Sequence, residues 1–187
     1  MTPTRLVGTP GQTVGPFFGY GMPYPGGPEL VPPHSPGAIA LFGRVLDGAG
    51  DPVPDSQIEI WQADAHGVVP QEPGSLHRDT LTFTGFGRAA TDADGFYRFW
   101  TVNPGAIEGS PAAPFIAVVV FARGLQDRLP TRVYLPDDEA ALSADPLLSG
   151  LTATERGSLI AARTAEGWLR HDIHLQGDEE TVFLAFT

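Results

Sequence analysis

The 187-residue chain contains no cysteine, and its 11 basic residues are all arginine, with no lysine among them. The first absence excludes disulfides, thiolate nucleophiles, zinc–thiolate sites and iron–sulfur ligation together. It permits a reducing compartment, and a cytoplasmic location is the expectation. The second absence, set against 22 Asp and Glu, leaves a net charge of −11 and no basic cluster to sit on phosphates or anionic headgroups. Nucleic acid and membrane surfaces are therefore poor partners. Nowhere do 18 apolar residues run together, and Met1 to Pro10 shows no hydrophobic leader pattern, so the expected chain is soluble and unexported.

What the chain does have is 23 glycines, 19 prolines and a hydrophobic share of 42%. With that much apolar material, a turn-rich β fold explains the glycine and proline better than disorder does. Residues 1–37 carry only Arg5 and Glu29 as charges, yet Val14 to Tyr24 holds Phe17, Phe18, Tyr20 and Tyr24. This is read as an extended arm, docking either on a partner or over a sheet edge of its own body. Residues 38–187 form the body, one domain by length.

In the body, short apolar runs alternate with turn chemistry. Ala38 to Leu46 and Gln57 to Gln62, joined through Asp47-Gly-Ala-Gly-Asp-Pro52, read as a hairpin. Gly87 to Thr91 and Phe96 to Trp100 read as another around Asp92-Ala-Asp-Gly95. Phe115 to Phe121 reads as a fully buried central strand, followed by Thr131 to Leu135. Thr152-Ala-Thr-Glu155 is a capping-box pattern opening one late helix of about three turns through Arg163. Trp168 to Leu175 and Glu180 to Phe186 close the chain as strands. The expected fold is mainly β, a sandwich of the prealbumin/transthyretin-like kind with an N-terminal arm and one short late helix.

Candidate chemistry is sparse. Asp64-Ala-His66, His77-Arg-Asp79 and His171-Asp-Ile-His174 look metal-like, but in an extended strand His171 and His174 point to opposite faces. No serine sits in a Gly-x-Ser-x-Gly elbow, and Gly15, Gly19 and Gly21 do not join a strand to a helix. Asp92/Asp94 and Asp137-Asp-Glu139 suit turns and helix starts. Arg132, inside a strand pattern, is either an outward strand charge or a site residue.

Three segments carry a resemblance. Thr9-Pro-Gly-Gln-Thr-Val-Gly-Pro-Phe-Phe18, then Ile58-Glu-Ile-Trp-Gln-Ala-Asp-Ala-His-Gly67 with Gly85-Phe-Gly-Arg-Ala-Ala-Thr-Asp92, and Asp172 to Phe183 resemble the intradiol ring-cleavage dioxygenases, in order and over almost the whole chain. The resemblance implies a non-haem ferric ion that binds protocatechuate while O2 is inserted between the hydroxylated carbons, giving 3-carboxy-cis,cis-muconate. Iron-bearing chains of the family use two Tyr phenolates and a His-x-His pair. Here Phe115 and Ala117 stand at the His positions, and Pro104 to Ser110 lacks a tyrosine, so the likeness is to the non-iron-binding chain of a heteromeric member. It implies that an iron-binding beta subunit holds the Fe(III), in a higher-order alpha–beta assembly. Thr13, Gly15, Pro16, Phe17 and Arg132 would line the partner's site, with Phe17 where a tyrosine is common. Two other readings stand beside it. One is a free-standing transthyretin-like binding module; the other is an independent dioxygenase with ligands among His66, Glu72, His77 and Asp79.

Overall fold

The computed structural model describes residues 13–15, 17–71 and 78–185. Two sheets pack face to face. One follows the order β4 (Phe96–Val102), β1 (Ala38–Leu46), β8 (Leu169–Arg170), β7 (Ala162–Arg163), with β9 (Ile173–His174) also paired to β1. The other runs β3 (Phe86–Ala90), β2 (Gln57–Trp61), β5 (Phe115–Phe121), β6 (Leu129–Tyr134). The β-branched and aromatic runs that made these segments read as strands place Leu41, Phe99 and Leu169 of the first sheet and Ile58, Ile116, Val118 and Val133 of the second in a single buried core. Each such side chain contributes roughly 1.5–3 kcal/mol on full burial.

Neither expected hairpin forms. β1 pairs antiparallel with β4, and β2 pairs with β3 and β5, so each expected turn carries the chain from one sheet to the other. The turns share a device. Asp47, Asp64 and Asp92 each begin an Asp-x-x-Gly unit whose carboxylate Oδ1 accepts the N–H groups two and four residues on, at 2.8–2.9 Å. The closing residues Gly50, Gly67 and Gly95 adopt φ of +84°, +83° and +69°. At Gly67 a Cβ would also stand 1.9 Å from the Ala106 carbonyl oxygen, so this glycine lets the motif segment pack against the 104–107 loop.

β5 is buried on one face only. Ile116, Val118 and Val120 point into the core, while Phe115, Ala117, Val119 and Phe121 form a half-buried outer row. The capping box at Thr152 and Glu155 forms, but its helix, α3 (Ala153–Gly157), is five residues long. Leu159 instead accepts the Tyr134 N–H, and Ala161 donates back to the Tyr134 carbonyl, which pulls the chain onto the sheet. Two other short helices, α1 (Phe18–Gly21) and α2 (Glu139–Ala144), and a 3-10 turn at Leu148–Gly150 complete the helical content of the described residues. The Trp168–Leu175 strand is interrupted at His171–Asp172, and of the expected Glu180–Phe186 strand residues 180–185 belong to no ladder, while Phe186 lies outside the described residues. No helix among the described residues is long and apolar enough to cross a membrane.

The described arm behaves in two ways. Residues 27–31 are stitched to the body: Arg88 N–H binds the Gly27 carbonyl, Trp100 and Pro28–Val31 exchange backbone bonds, and Leu30 enters the core. Residues 13–15 and 17–21 touch it lightly, with the Gly124 N–H on Thr13 Oγ1 at 3.2 Å and Phe17 and Tyr20 left 76% and 86% exposed.

Candidate functional site

Because residues i and i+2 of a strand share a face, Phe115 and Ala117 point the same way, outward from the four-stranded sheet. Antiparallel register sets Tyr134 opposite Phe115 and places Arg132 and Trp61 on either side of Ala117. Directly opposed residues also share a face. The outer face therefore assembles Phe115, Ala117, Arg132, Tyr134 and Trp61 from three strands. Beneath Phe115, the 104–110 loop and Ala63 close around a cavity of only about 10 Å³.

Arg132 lies flat over this patch. Its guanidinium carbon is 4.1 Å from the centre of the Phe115 ring, and Nη1 donates to Tyr134 Oη at 3.0 Å. Tyr134, fully buried, donates in turn to Asp145 Oδ1 at 3.2 Å. Asp145 is also fully buried; its Oδ1 accepts the Leu147 and Leu148 N–H groups at 2.8 and 3.0 Å, and Oδ2 accepts the Ala113 N–H at 3.0 Å. Burial is the main force raising the Tyr134 phenol above its ordinary pKa; the neighbouring Arg132 opposes it and the Asp145 charge adds to it. The phenol thus stays neutral and serves as acceptor for Arg132 and donor to Asp145. Among the described residues Arg132 forms no ion pair. It is a half-buried cation held against an aromatic ring, with its charge facing outward.

The arm residues lie elsewhere on the same body. Thr13 meets Gly124 in the loop after β5, and Gly15 accepts the Phe18 N–H. Phe17 precedes α1 with its ring in solvent. Pro16 lies outside the described residues. No hydrogen bond or ring contact among the described residues joins Arg132 to Thr13, Gly15 or Phe17. The apolar groups Phe17, Tyr20 and Trp61 are exposed, Trp61 to 45%.

The metal-like clusters resolve into other roles. Asp64 shapes its turn by accepting the His66 backbone N–H. Asp79 is held down to about 2 by hydrogen bonds from the Thr82 backbone and hydroxyl and from the Leu81 N–H. Glu72 and His77 lie outside the described residues. The strand is broken at His171–Asp172, so the parity condition does not apply there; His171 and His174 both border one surface cavity of about 420 Å³, with the His171 imidazole itself buried. Among the described residues no group of three or more His, Cys, Asp or Glu could hold a metal ion. Around Phe115 and Ala117 a phenyl ring, a methyl group and a guanidinium offer a hard ferric ion no lone pairs, and the Tyr134 phenol on that face is neutral and committed to Arg132 and Asp145.

Sequence reasoning missed Tyr134 and Asp145. Tyr134 was only one residue of the Thr131–Leu135 strand, and it is the strand register that brings it beside Phe115.

A dioxygenase family model matches residues 32–177. The chain is 39% identical to the protocatechuate 3,4-dioxygenase alpha chain of Burkholderia cepacia, across 96% of this chain and 98% of that one. The chain belongs to the intradiol ring-cleavage dioxygenase family. The beta chain from the same organism is 36% identical, over 76% of this chain and 66% of its own length. Among solved structures, the dioxygenase domain of a carbohydrate-binding fusion protein from Streptomyces sp. SirexAA-E superposes with a TM-score of 0.58 at 25% identity, covering 89% of this chain and 95% of that one. End-to-end agreement with an alpha chain does not favour the free-standing binding module.

Proposed function

We propose that this chain is the alpha, non-iron-binding subunit of a protocatechuate 3,4-dioxygenase, which pairs with an iron-bearing beta chain and completes the site where protocatechuate is cleaved by O2. The observation that carries the reading is the end-to-end match to an alpha chain, in a chain whose two expected imidazole positions hold Phe115 and Ala117. The partner's iron supplies the redox chemistry of ring cleavage. This chain supplies position and enclosure.

Arg132 is the anchor for the substrate carboxylate. A fixed guanidinium with no carboxylate partner among the described residues matches a carboxylate in a bidentate fork. Thr13, Gly15, Pro16 and Phe17 wall the partner's site, and exposed Phe17, Tyr20 and Trp61 supply apolar area for docking at roughly 25 cal/mol per Å² without desolvating charge. A site closed at a subunit junction excludes water and fixes the ring relative to oxygen.

Combining the two purified chains tests the reading. The alpha chain alone is expected to leave protocatechuate intact, with ring cleavage appearing when the iron-loaded beta chain is added. Cleavage by the alpha chain alone would overturn it.

A further inference from the structure

Arg132 has four side-chain torsions and sits on an outward face, yet it is held in one pose. Two contacts hold it: the Phe115 ring beneath the guanidinium and the Tyr134 oxygen at its edge. The second contact belongs to a buried chain of groups. Tyr134 cannot swing away, because it is fully buried and its hydroxyl is committed to Asp145. Asp145 cannot move either, because three backbone N–H groups from two separate segments converge on it. One of those donors is Ala113, two residues before Phe115, so the same carboxylate fixes both the ring under Arg132 and the hydroxyl beside it. Tyr134 and Ala113 also belong to a second buried cluster with Leu142, Leu148 and Leu159, beside the main one around Ile116 and Val133.

We infer that the buried Asp145–Tyr134 pair is a positioning relay for Arg132, setting the guanidinium pose that receives the substrate carboxylate. The inference rests on the carboxylate-anchor reading of Arg132 given above. Tyr134 and Asp145 touch no substrate in this scheme; they act through Arg132. The design suits its task, since a side chain as flexible as arginine loses less freedom on binding when it is already held in place.

The test uses the alpha–beta complex with Tyr134→Phe, Arg132→Ala and the double variant, assayed on protocatechuate and on catechol, which lacks the carboxylate. Tyr134→Phe keeps the ring and removes only the hydroxyl. Because binding must then re-order a freed arginine side chain, the variant is expected to raise KM for protocatechuate by roughly three- to tenfold, leaving kcat and the catechol KM within about twofold. Arg132→Ala is expected to raise the protocatechuate KM further, and adding Tyr134→Phe to it should change nothing more, because the relay has lost its target. If Arg132→Ala is selective for protocatechuate while Tyr134→Phe is silent, the relay fails and the anchor stands. If Arg132→Ala affects both substrates equally, the anchor reading fails and the relay's role in binding falls with it. A crystal structure of the Tyr134→Phe complex with Arg132 unmoved over Phe115 would also overturn the relay.

Discussion

Replacing Asp145 by asparagine changes one atom in a buried site, and the structure fixes what that change costs. Oδ1 receives the Leu147 and Leu148 N–H groups and the Tyr134 hydroxyl, while Oδ2 receives the Ala113 N–H. An amide has one acceptor oxygen. Its better orientation keeps the three donors at Oδ1 and turns an NH2 toward Ala113, so two donors face each other at a residue only 5% exposed. An unsatisfied buried N–H costs about 1–3 kcal/mol. The three surviving bonds also lose their charge assistance, adding about 1–2 kcal/mol. Relief from burying a charge offsets part of this. With four donors aimed at the carboxylate, the net loss should be about 2–4 kcal/mol, a large share of the roughly 5–15 kcal/mol that holds a domain together. For a chain of this size, that lowers Tm by roughly 4–16 °C. Calorimetry on the purified variant and parent at neutral pH is the assay. A Tm within 1 °C of the parent would refute the reasoning, since it would mean that the four donors find other partners at no cost.

His171 gives a pH prediction. Burial above all drives its imidazole down to about 4; Asp172 opposes the shift and His174 adds to it. Between pH 6.5 and 4 the unfolded chain binds a proton there that the folded chain refuses. The stability contribution is therefore complete above pH 6.5 and falls by about 1.4 kcal/mol per pH unit as pH drops through that window. Urea unfolding should show a shallower pH dependence in His171→Gln, and an identical slope would contradict the assignment. Gly43→Ala tests the break between β8 and β9: the new Cβ would lie 1.7 Å from the His171 carbonyl oxygen, which also accepts the buried Tyr97 hydroxyl at 2.6 Å. A stability loss of about 3 kcal/mol or more is expected by the same unfolding measurement, and a loss under 1 kcal/mol would show that β1 yields freely there.

Much of this was legible in the sequence because it is local. Short apolar and β-branched runs marked β1 and β5 at their full extents, and the capping box marked the start of α3. What sequence could not show is which elements meet. An Asp-x-x-Gly turn looks the same whether the chain folds back within a sheet or crosses to the other, so both expected hairpins were in fact crossovers. The helix after Thr152 stopped early because Leu159 and Ala161 gain backbone partners on β6, a tertiary gain that helix periodicity does not register. At the site, the spacing of Phe115 and Ala117 put them on one face. The Tyr134–Asp145 contact spans 11 residues across α2, with no periodic signal to connect the pair. A conditional rule would have found it: an aspartate too buried for solvent must be met by donors, and the nearest tyrosine on an adjoining strand is the first candidate.

The most direct test of the central claim is iron content together with visible phenolate-to-iron absorption, measured on the isolated chain and on the same chain co-purified with its beta partner. The account expects a colourless, iron-free alpha chain and a coloured complex carrying one iron per alpha–beta pair that cleaves protocatechuate. Stoichiometric iron and colour in the isolated chain would contradict it.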